Sequence, residues 1–367
     1  MMKYTLKNDD GHAIRGLYDR LARHGLFTLM AAYSNEQERI QAMDFDLPLL
    51  PEKLRTMVEL FIIGKPVKAS RAGAALPGDI IEALAGLGVI SCQDEHLSLN
   101  MLRLAYHCGI LSFCEKAIDP AIKYYYGNDS LALGKMLLPA RGKVLDVCAG
   151  VGTQGILCAL TADKVIAVEQ EPTVSKLFEI NSVLNRVDDK IELRIGDLTK
   201  PVRGETFDRI CCNPPLLPVP ENVPYPVVGD GGPDGLRIVK RLIADLPGLL
   251  NANGRCQIIG SILGDESGPF TGDLESLARS GDLDIMMVLP SRQPLYPFSP
   301  MVESLAITSQ AYGNTDINAM REAYLDCFSK QGASYLYSYL MDVAKPGIDR
   351  AVELTRHYHR NALFWSV

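Results

Sequence analysis

Residues 143–156, KVLDVCAGVGTQGI, constrain this chain more than any other stretch. Val144, Leu145 and Val147 form a short apolar run with Asp146 set in it, and a glycine-rich turn follows at once. Gly155 then opens a second apolar run, Ile156–Leu160, which reads as a helix. A strand that passes through a glycine turn into a helix brings backbone N–H groups close to a bound ligand. Glycine is needed there because a Cβ would block both the tight turn and the close approach. Gly150, Gly152 and Gly155 satisfy the dinucleotide spacing G-x-G-x-x-G, and Glu169 stands at the distance expected of a ribose ligand. Asp146 argues against a dinucleotide. A carboxylate at the strand end would repel a pyrophosphate, whereas it suits a ligand with an ammonium group, such as the methionine part of S-adenosylmethionine (SAM).

At 367 residues the chain exceeds one typical domain, and two are expected. With 47% hydrophobic and 22% charged residues it has the composition of an ordinary soluble globular protein, which excludes a disordered chain. Nothing approaches the roughly eighteen consecutive apolar residues of a membrane span, so no membrane partner is expected. The start, MMKYTLKNDDGH, has no apolar stretch of the kind a signal peptide needs. The nine cysteines contain no CxxC pair, and Cys108, Cys114, Cys158, Cys211 and Cys212 sit within apolar runs. They read as reduced core residues of a cytoplasmic protein rather than as metal ligands or disulfides. The net charge of −7 disfavours nucleic acid, which calls for a basic face, and favours a small-molecule partner. A homo-oligomer is compatible with all of this.

Residues 1–115 form a first, mainly helical domain. Asp10–Tyr33 reads as one or two helices with Leu17, Leu21, Leu26 and Leu29 as core positions. Glu52–Ile63 carries Leu54, Met57, Val58, Phe61 and Ile62 at helical spacing. Asp79 can N-cap a further helix bearing Ile80, Ile81, Leu84 and Leu87, and two strand candidates follow, Val89–Cys92 and His96–Leu99. Helices followed by a hairpin suggest a winged-helix module. A DNA-reading helix should offer cations and amides. Asp79–Leu87 offers Asp79 and Glu82 and no Lys or Arg, so substrate or partner contact, or plain packing, fits it better.

Residues 116–367 form the second domain. It opens with KYYYGNDSLALG, whose three tyrosines, Tyr124, Tyr125 and Tyr126, cannot share one face of a strand or helix. They serve either as packing or as a loop across the ligand mouth. Strand and helix patterns then alternate: strands at Lys143–Cys148, Lys164–Glu169, Lys190–Ile195, Phe207–Cys212, Arg255–Ile262 and Leu283–Leu289, with helices between them. Such alternation means βαβ units and a mostly parallel, doubly wound sheet. Ligands on these sheets bind beyond the carboxyl ends of the strands. Asp146, Glu169, Asp197 and Asn213 all fall at such ends. Near the C-terminus, Tyr335–Val343 reads as a last antiparallel strand, and the pair His357 and His359, close to Trp365, lacks a third ligand and reads as a surface or core pair, so no metal is expected.

VLDVCAGVGTQG, AVEQEP, RIGDL, CCNPPL and GGPDGL follow one another in an order that resembles the class I SAM-dependent methyltransferases. More narrowly, they resemble the branch with an N-P-P-Y/F motif, which includes release-factor glutamine methyltransferases and several base N-methyltransferases, some with a winged-helix-like front domain. The resemblance covers residues 127–289. It implies an α/β fold: a doubly wound, Rossmann-like class I methyltransferase sheet behind the N-terminal domain. SAM is the implied cofactor. Asp146, Cys148 and the Gly150–Gly152 backbone would face its methionine part, Glu169 and Gln170 its ribose, and Asp197 and Leu198 its adenine. Gly127, Asp129 and Ser130 match a segment that lies over the cofactor. Asn213, with Pro214, would accept hydrogen bonds from a substrate N–H and aim the nitrogen at the methyl group.

The fourth motif position departs from the pattern, with Leu216 where the branch has an aromatic ring. Leucine cannot stack on a planar amide or base. Tyr225, or one of Tyr124, Tyr125 and Tyr126, could supply a ring from another loop, with Tyr126 the tyrosine of the three assigned to substrate. With the acidic balance, this leads to the expectation of an N-methyltransferase acting on a small molecule. The alternatives are methylation of a protein glutamine or an RNA base, non-methyl SAM chemistry (aminocarboxypropyl transfer or cyclisation), and SAM binding without turnover.

Overall fold

The computed structural model describes residues 6–33, 43–116, 123–346 and 352–356; His357, His359 and Trp365 lie outside them. Helices α1 (Asn8–Arg23) and α2 (Leu26–Tyr33) open the chain, with Leu17, Leu21 and Leu26 fully buried. Helix α3 (Glu52–Met57) begins after Pro51 and runs on as a π-helical segment, Val58–Ile63, which Gly64 ends in the left-handed region. There follow β1 (Val67–Lys68), α4 (Ala69–Ala75), α5 (Gly78–Gly86), β2 (Ile90–Gln93) and β3 (His96–Leu99). The three strands form an antiparallel sheet with β3 in the middle. Pro77 rather than Asp79 occupies the N-cap of α5, and Asp79 lies in the first turn. There its charge still favours the positive end of the helix.

The hairpin β4 (Leu102–His107) and β5 (Ile110–Glu115) has no counterpart in the sequence reading. Cys108 and Gly109, both at positive φ, form its two-residue turn. Its residues are buried on both faces, so the alternation that marks a half-exposed strand is missing. The edge of β5 is satisfied by asparagine side chains rather than by another strand. Leu111 N and Phe113 N donate to Asn185 Oδ1 (2.9 Å) and Asn181 Oδ1 (2.8 Å), and the same two amides donate back to Leu111 O and Phe113 O.

Helix α6 (Asn128–Met136) leads into the main sheet, built from β6 (Lys143–Val147), β7 (Lys164–Glu169), β8 (Ile191–Ile195), β9 (Phe207–Cys212), β10 (Leu250–Asp265), β11 (Gly268–Pro269), β12 (Asp284–Pro294), β13 (Tyr335–Ala344) and β14 (Val352–Arg356). The order is β14-β12-β13-β10-β9-β6-β7-β8, with β11 paired to β10. Strands β8, β7, β6, β9 and β10 are parallel, and β13 runs antiparallel between β10 and β12. The strand expected at Tyr335–Val343 therefore fills the middle of the sheet's far half. Covered on both faces, the central parallel strands bury near-continuous apolar runs: Val144, Leu145 and Val147 of β6 and Val165, Ile166, Ala167 and Val168 of β7 are buried.

The covering helices are α7 (Thr153–Ala159), α8 (Ser175–Leu184), α9 (Arg237–Leu249) and α10 (Gly272–Gly281); α11 (Pro300–Gly313) and α12 (Ile317–Lys330) connect β12 to β13. Helix α9 buries Val239, Leu242, Ile243, Leu246 and Leu249 along one stripe. Each such side chain contributes about 1.5–3 kcal/mol. The core of the front region is continued by Leu177, Ile180, Val183 and Leu184 of α8, so the two regions share one apolar interior. Among the described residues no helix is long and apolar enough to cross a membrane.

Candidate functional site

Strands β6, β7 and β9 end together, because Val147 is paired with both Val168 and Cys212. The segments that follow, Cys148–Gly152, Glu169–Glu171 and Asn213–Leu216, therefore leave the sheet side by side. Cys148, Gly150 and Gly152 take positive φ values of 59°, 51° and 90°. A Cβ on Gly152 would also stand 2.8 Å from the Phe178 ring, so both the backbone and the packing require glycine there.

Glu169 ties this turn to the end of β7. Its Oε2 accepts from Gly150 N (2.8 Å), and its Oε1 accepts from Gln170 N (2.7 Å) and Glu171 N (2.9 Å). The Gln170 side chain is exposed beside it. Asp146 lies behind the turn. Its carboxylate is buried, with Oδ2 accepting from Gly155 N (2.7 Å) and Oδ1 from the Cys211 thiol (3.5 Å). Burial pushes its pKa up to about 7. The sequence reading aimed this group at an ammonium; the structure instead gives it an N–H that the first turn of α7 leaves open.

Asp197 follows β8, and both Arg241 Nη2 (2.7 Å) and Lys200 Nζ (2.9 Å) bond its Oδ2. These cations hold its carboxyl below the ordinary range. Leu198 is buried in the sheet's core cluster rather than lying open as a platform for a ring.

Asn213 sits at the end of β9, with Pro214 buried next to it. Its Nδ2 donates to Asp129 Oδ2 (2.9 Å) and Ser130 Oγ (3.1 Å), from the first turn of α6. Its Oδ1 is buried and has no partner. Asp129 Oδ1 accepts a second bond, from the Tyr125 hydroxyl (2.7 Å). Burial raises the Asp129 pKa, and the bonds from Tyr125 and Asn213 oppose that shift. Ser130 is anchored in turn by Gln154 Nε2, which donates to its carbonyl (2.7 Å).

Among the tyrosines, the one that reaches this cluster is Tyr125. Tyr126, expected to meet substrate, is buried against the β4–β5 hairpin, its hydroxyl 3.2 Å from His107 Nδ1 and its ring beneath the Arg103 guanidinium. Consecutive residues in an extended segment face opposite ways, so only one of this pair can point at Asn213. Leu216 is buried as well. Its side chain packs with Ala132, Leu133, Ile259 and Leu340, and its carbonyl accepts from Ser261 Oγ. Tyr225 packs against the cluster of Leu263, Leu305 and Tyr324, and burial pushes its hydroxyl up to about 12.

Residues 135–217 match the model of the TRM5/TYW2 methyltransferase domain. A candidate protein N5-glutamine methyltransferase of Methanocaldococcus jannaschii is 33% identical over 185 residues, spanning 49% of this chain and 88% of that relative. This chain belongs to the SAM-dependent methyltransferases of class I fold. A ribosomal protein uL3 glutamine methyltransferase of Bordetella pertussis is 31% identical over 122 residues, 30% of this chain and 41% of that one. Among solved structures, Trm5b of Pyrococcus abyssi aligns with a TM-score of 0.39 and 17% identity, covering 80% of this chain and 71% of that chain.

The cofactor of this methyltransferase is SAM. The site fits it: a glycine turn braced by a carboxylate, with the unpartnered oxygen of Asn213 on the neighbouring strand end. The expectation of a small-molecule partner, with macromolecules set aside, is overturned, because both of these glutamine methyltransferase relatives are named for a protein substrate. Two observations explain the error. Leu216 is packed into an apolar cluster with Ala132, Leu133, Ile259 and Leu340, so its departure from the motif is a matter of core packing. Net charge, too, describes the whole chain rather than the mouth of one crevice.

Proposed function

We propose that this methyltransferase transfers the methyl group of SAM to the side-chain amide nitrogen of a glutamine in a protein. The observation that carries the reading is Asn213, whose Nδ2 is taken by Asp129 and Ser130 while its buried Oδ1 has no partner. A buried polar atom is costly unless something bonds it. An N–H of a primary amide meets that need and leaves the other face of the nitrogen free.

In this reading SAM supplies a methyl group on a sulfonium sulfur, an electrophile that needs no further activation. The protein's own contribution is placement. Asn213 Oδ1 accepts from the glutamine amide and lines its nitrogen up with the methyl group, and the rigid Pro214-Pro215 backbone keeps the ordering cost low. The nitrogen gains the methyl and releases one proton, so the products are N5-methylglutamine and S-adenosylhomocysteine. We assign Glu169 to the ribose hydroxyls, the Cys148–Gly152 backbone to the methionine end, and Asp197, through the oxygen its two cations leave open, to the adenine end. Asp146 acts from behind, fixing the start of α7. Tyr125, bonded to Asp129, is the ring that reaches the Asn213 cluster and would take the place of the aromatic side chain that Leu216 does not supply.

The order β1-α4-α5-β2-β3 supports a winged-helix-like reading of the front domain, residues 1–115, ahead of a methyltransferase domain over 116–367. Helix α5, acidic and without Lys or Arg, suits a protein partner better than DNA. The nine free cysteines suit the reducing cytoplasm.

The test is incubation with methyl-labelled SAM and a cell extract separated into protein, RNA and metabolite fractions. N5-methylglutamine in hydrolysed protein, formed with S-adenosylhomocysteine, supports the reading. Label in RNA, or release of methylthioadenosine, overturns it.

A further inference from the structure

The two ends of an asparagine amide are nearly the same shape, and half a turn about χ2 exchanges them. For Asn213 the exchange would present an NH₂ group to the substrate and abolish its use as an acceptor. Something must therefore fix the amide. Ser130 Oγ cannot do so alone, since a hydroxyl pairs with either end. Asp129 can, because both of its oxygens serve as acceptors, Oδ1 for the Tyr125 hydroxyl and Oδ2 for Asn213, and a reversed amide would set oxygen against oxygen.

Asp129 is itself held. The Tyr125 hydroxyl donates to its Oδ1, leaving Oδ2 for Asn213. This bond crosses the bare Cα of Gly127: a Cβ there would lie 1.9 Å from the Tyr125 oxygen and 2.6 Å from Asp129 Oδ1. The glycine is thus required for the carboxylate to be oriented, in a segment where its φ of −135° would suit any residue. A negative acceptor on the amide N–H also makes the amide oxygen a better acceptor.

We propose that Asp129 is a positioning residue that holds the Asn213 amide with its oxygen toward the substrate, and that Tyr125, reaching over Gly127, keeps Asp129 in that role. The proposal rests on the reading of Asn213 as the acceptor for a substrate N–H. It extends that reading by making the acceptor a three-residue device, Tyr125–Asp129–Asn213.

The chemistry allows an exchange test. Asp129→Asn removes the sign preference, and Asn213→Asp sets two carboxylates against each other. Both together restore a donor at 129, now paired with an acceptor-only group at 213. Initial rates are measured on whichever extract fraction the wild type labels, at limiting and saturating amounts, with SAM affinity measured by calorimetry. Each single variant should lose about 100-fold in the saturating rate, the scale of a misplaced reacting group, while SAM binds within about threefold of wild type. The double variant should recover at least about tenfold over either single, a non-additivity that a merely structural role would not produce. A double variant no better than the worse single, or an Asp129→Asn rate within threefold of wild type, overturns the proposal.

A second measurement does not depend on the acceptor. Side-chain amide NMR of Asn213 should show protons protected from exchange in the wild type and exchanging at least about tenfold faster in Asp129→Asn. Equal exchange would overturn the role of Asp129 even if glutamine methylation were demonstrated. Protection lost in the variant, with no methylglutamine formed by the wild type, would uphold Asp129 and refute the glutamine substrate.

Discussion

Glu169 Oε2 stands 2.8 Å from the backbone nitrogen of Gly150, joining the end of one strand to the glycine turn that follows its neighbour. Three backbone N–H groups converge on this one carboxylate, two of them on its other oxygen. Glu169 thus braces the glycine turn from the end of the neighbouring strand.

Glu169→Gln should weaken SAM binding by about tenfold or more, in line with the 1.5–3 kcal/mol of a hydrogen bond to a charged group. Both oxygens accept, so whichever way the glutamine amide turns, its NH₂ meets a donor. Calorimetric titration with SAM checks this, and an unchanged Kd would remove Glu169 from the site.

Asp146 should give the fold a pH dependence opposite to that of most carboxylates. Its pKa is raised from 3.8 to about 7 by burial, so the native protein keeps a proton that the unfolded chain releases. Its contribution to stability is complete below pH 4 and is lost as pH rises to about 7, a change of about 4 kcal/mol at most. Urea unfolding across that range should show this downward slope once the opposing contribution of His107 is removed, and Asp146→Asn in that background should abolish it.

His107 should act in the other direction. Burial lowers its pKa from 6.5 to about 4, so the folded protein holds it neutral while the unfolded chain takes up a proton. Its contribution is complete above pH 6.5 and is lost as pH falls through 4, at roughly 3 kcal/mol. Between pH 4 and 6.5 the two groups oppose each other. Replacing His107 with phenylalanine should therefore expose the Asp146 slope, and Asp146→Asn should expose that of His107. Equal profiles for all three proteins would contradict both assignments.

Leu216→Ala should cost about 2–5 kcal/mol of stability, the usual penalty for truncating a buried leucine. The KM for the methyl acceptor should stay within a few-fold of wild type, since the side chain faces Ile259 and Leu340. A large rise in KM without a loss of stability would return Leu216 to the acceptor site.

The parts of this enzyme that the sequence disclosed are those where local chemistry and fold agree. The run Val144–Val147, the glycine turn and Glu169 disclosed a parallel strand unit because continuous apolar residues, glycine and a terminal carboxylate each have one reading there. The hairpin at Leu102–Glu115 escaped because burial on both faces erased the alternation and because Cys108, rather than the usual Asn or Asp, opens its turn. Tyr126 was preferred to Tyr125 because adjacent aromatic residues in an extended segment give no sign of which one faces inward. Leu216 misled for a related reason: a motif position carries its family role only if the backbone presents that side chain to the crevice, and here the Ser261 bond to its carbonyl and the apolar cluster turn it away. The partnership of Asp129 with Asn213, 84 residues apart, became visible only once the sheet had brought the two segments together.

The most direct test of the central claim is the mass of the methylated residue formed by the wild type and by Asn213→Ala. The account predicts N5-methylglutamine in the protein fraction with an equal amount of S-adenosylhomocysteine, and a loss of about 100-fold or more in the variant with SAM affinity little changed. Undiminished turnover by Asn213→Ala, or label confined to RNA or small metabolites, would contradict it.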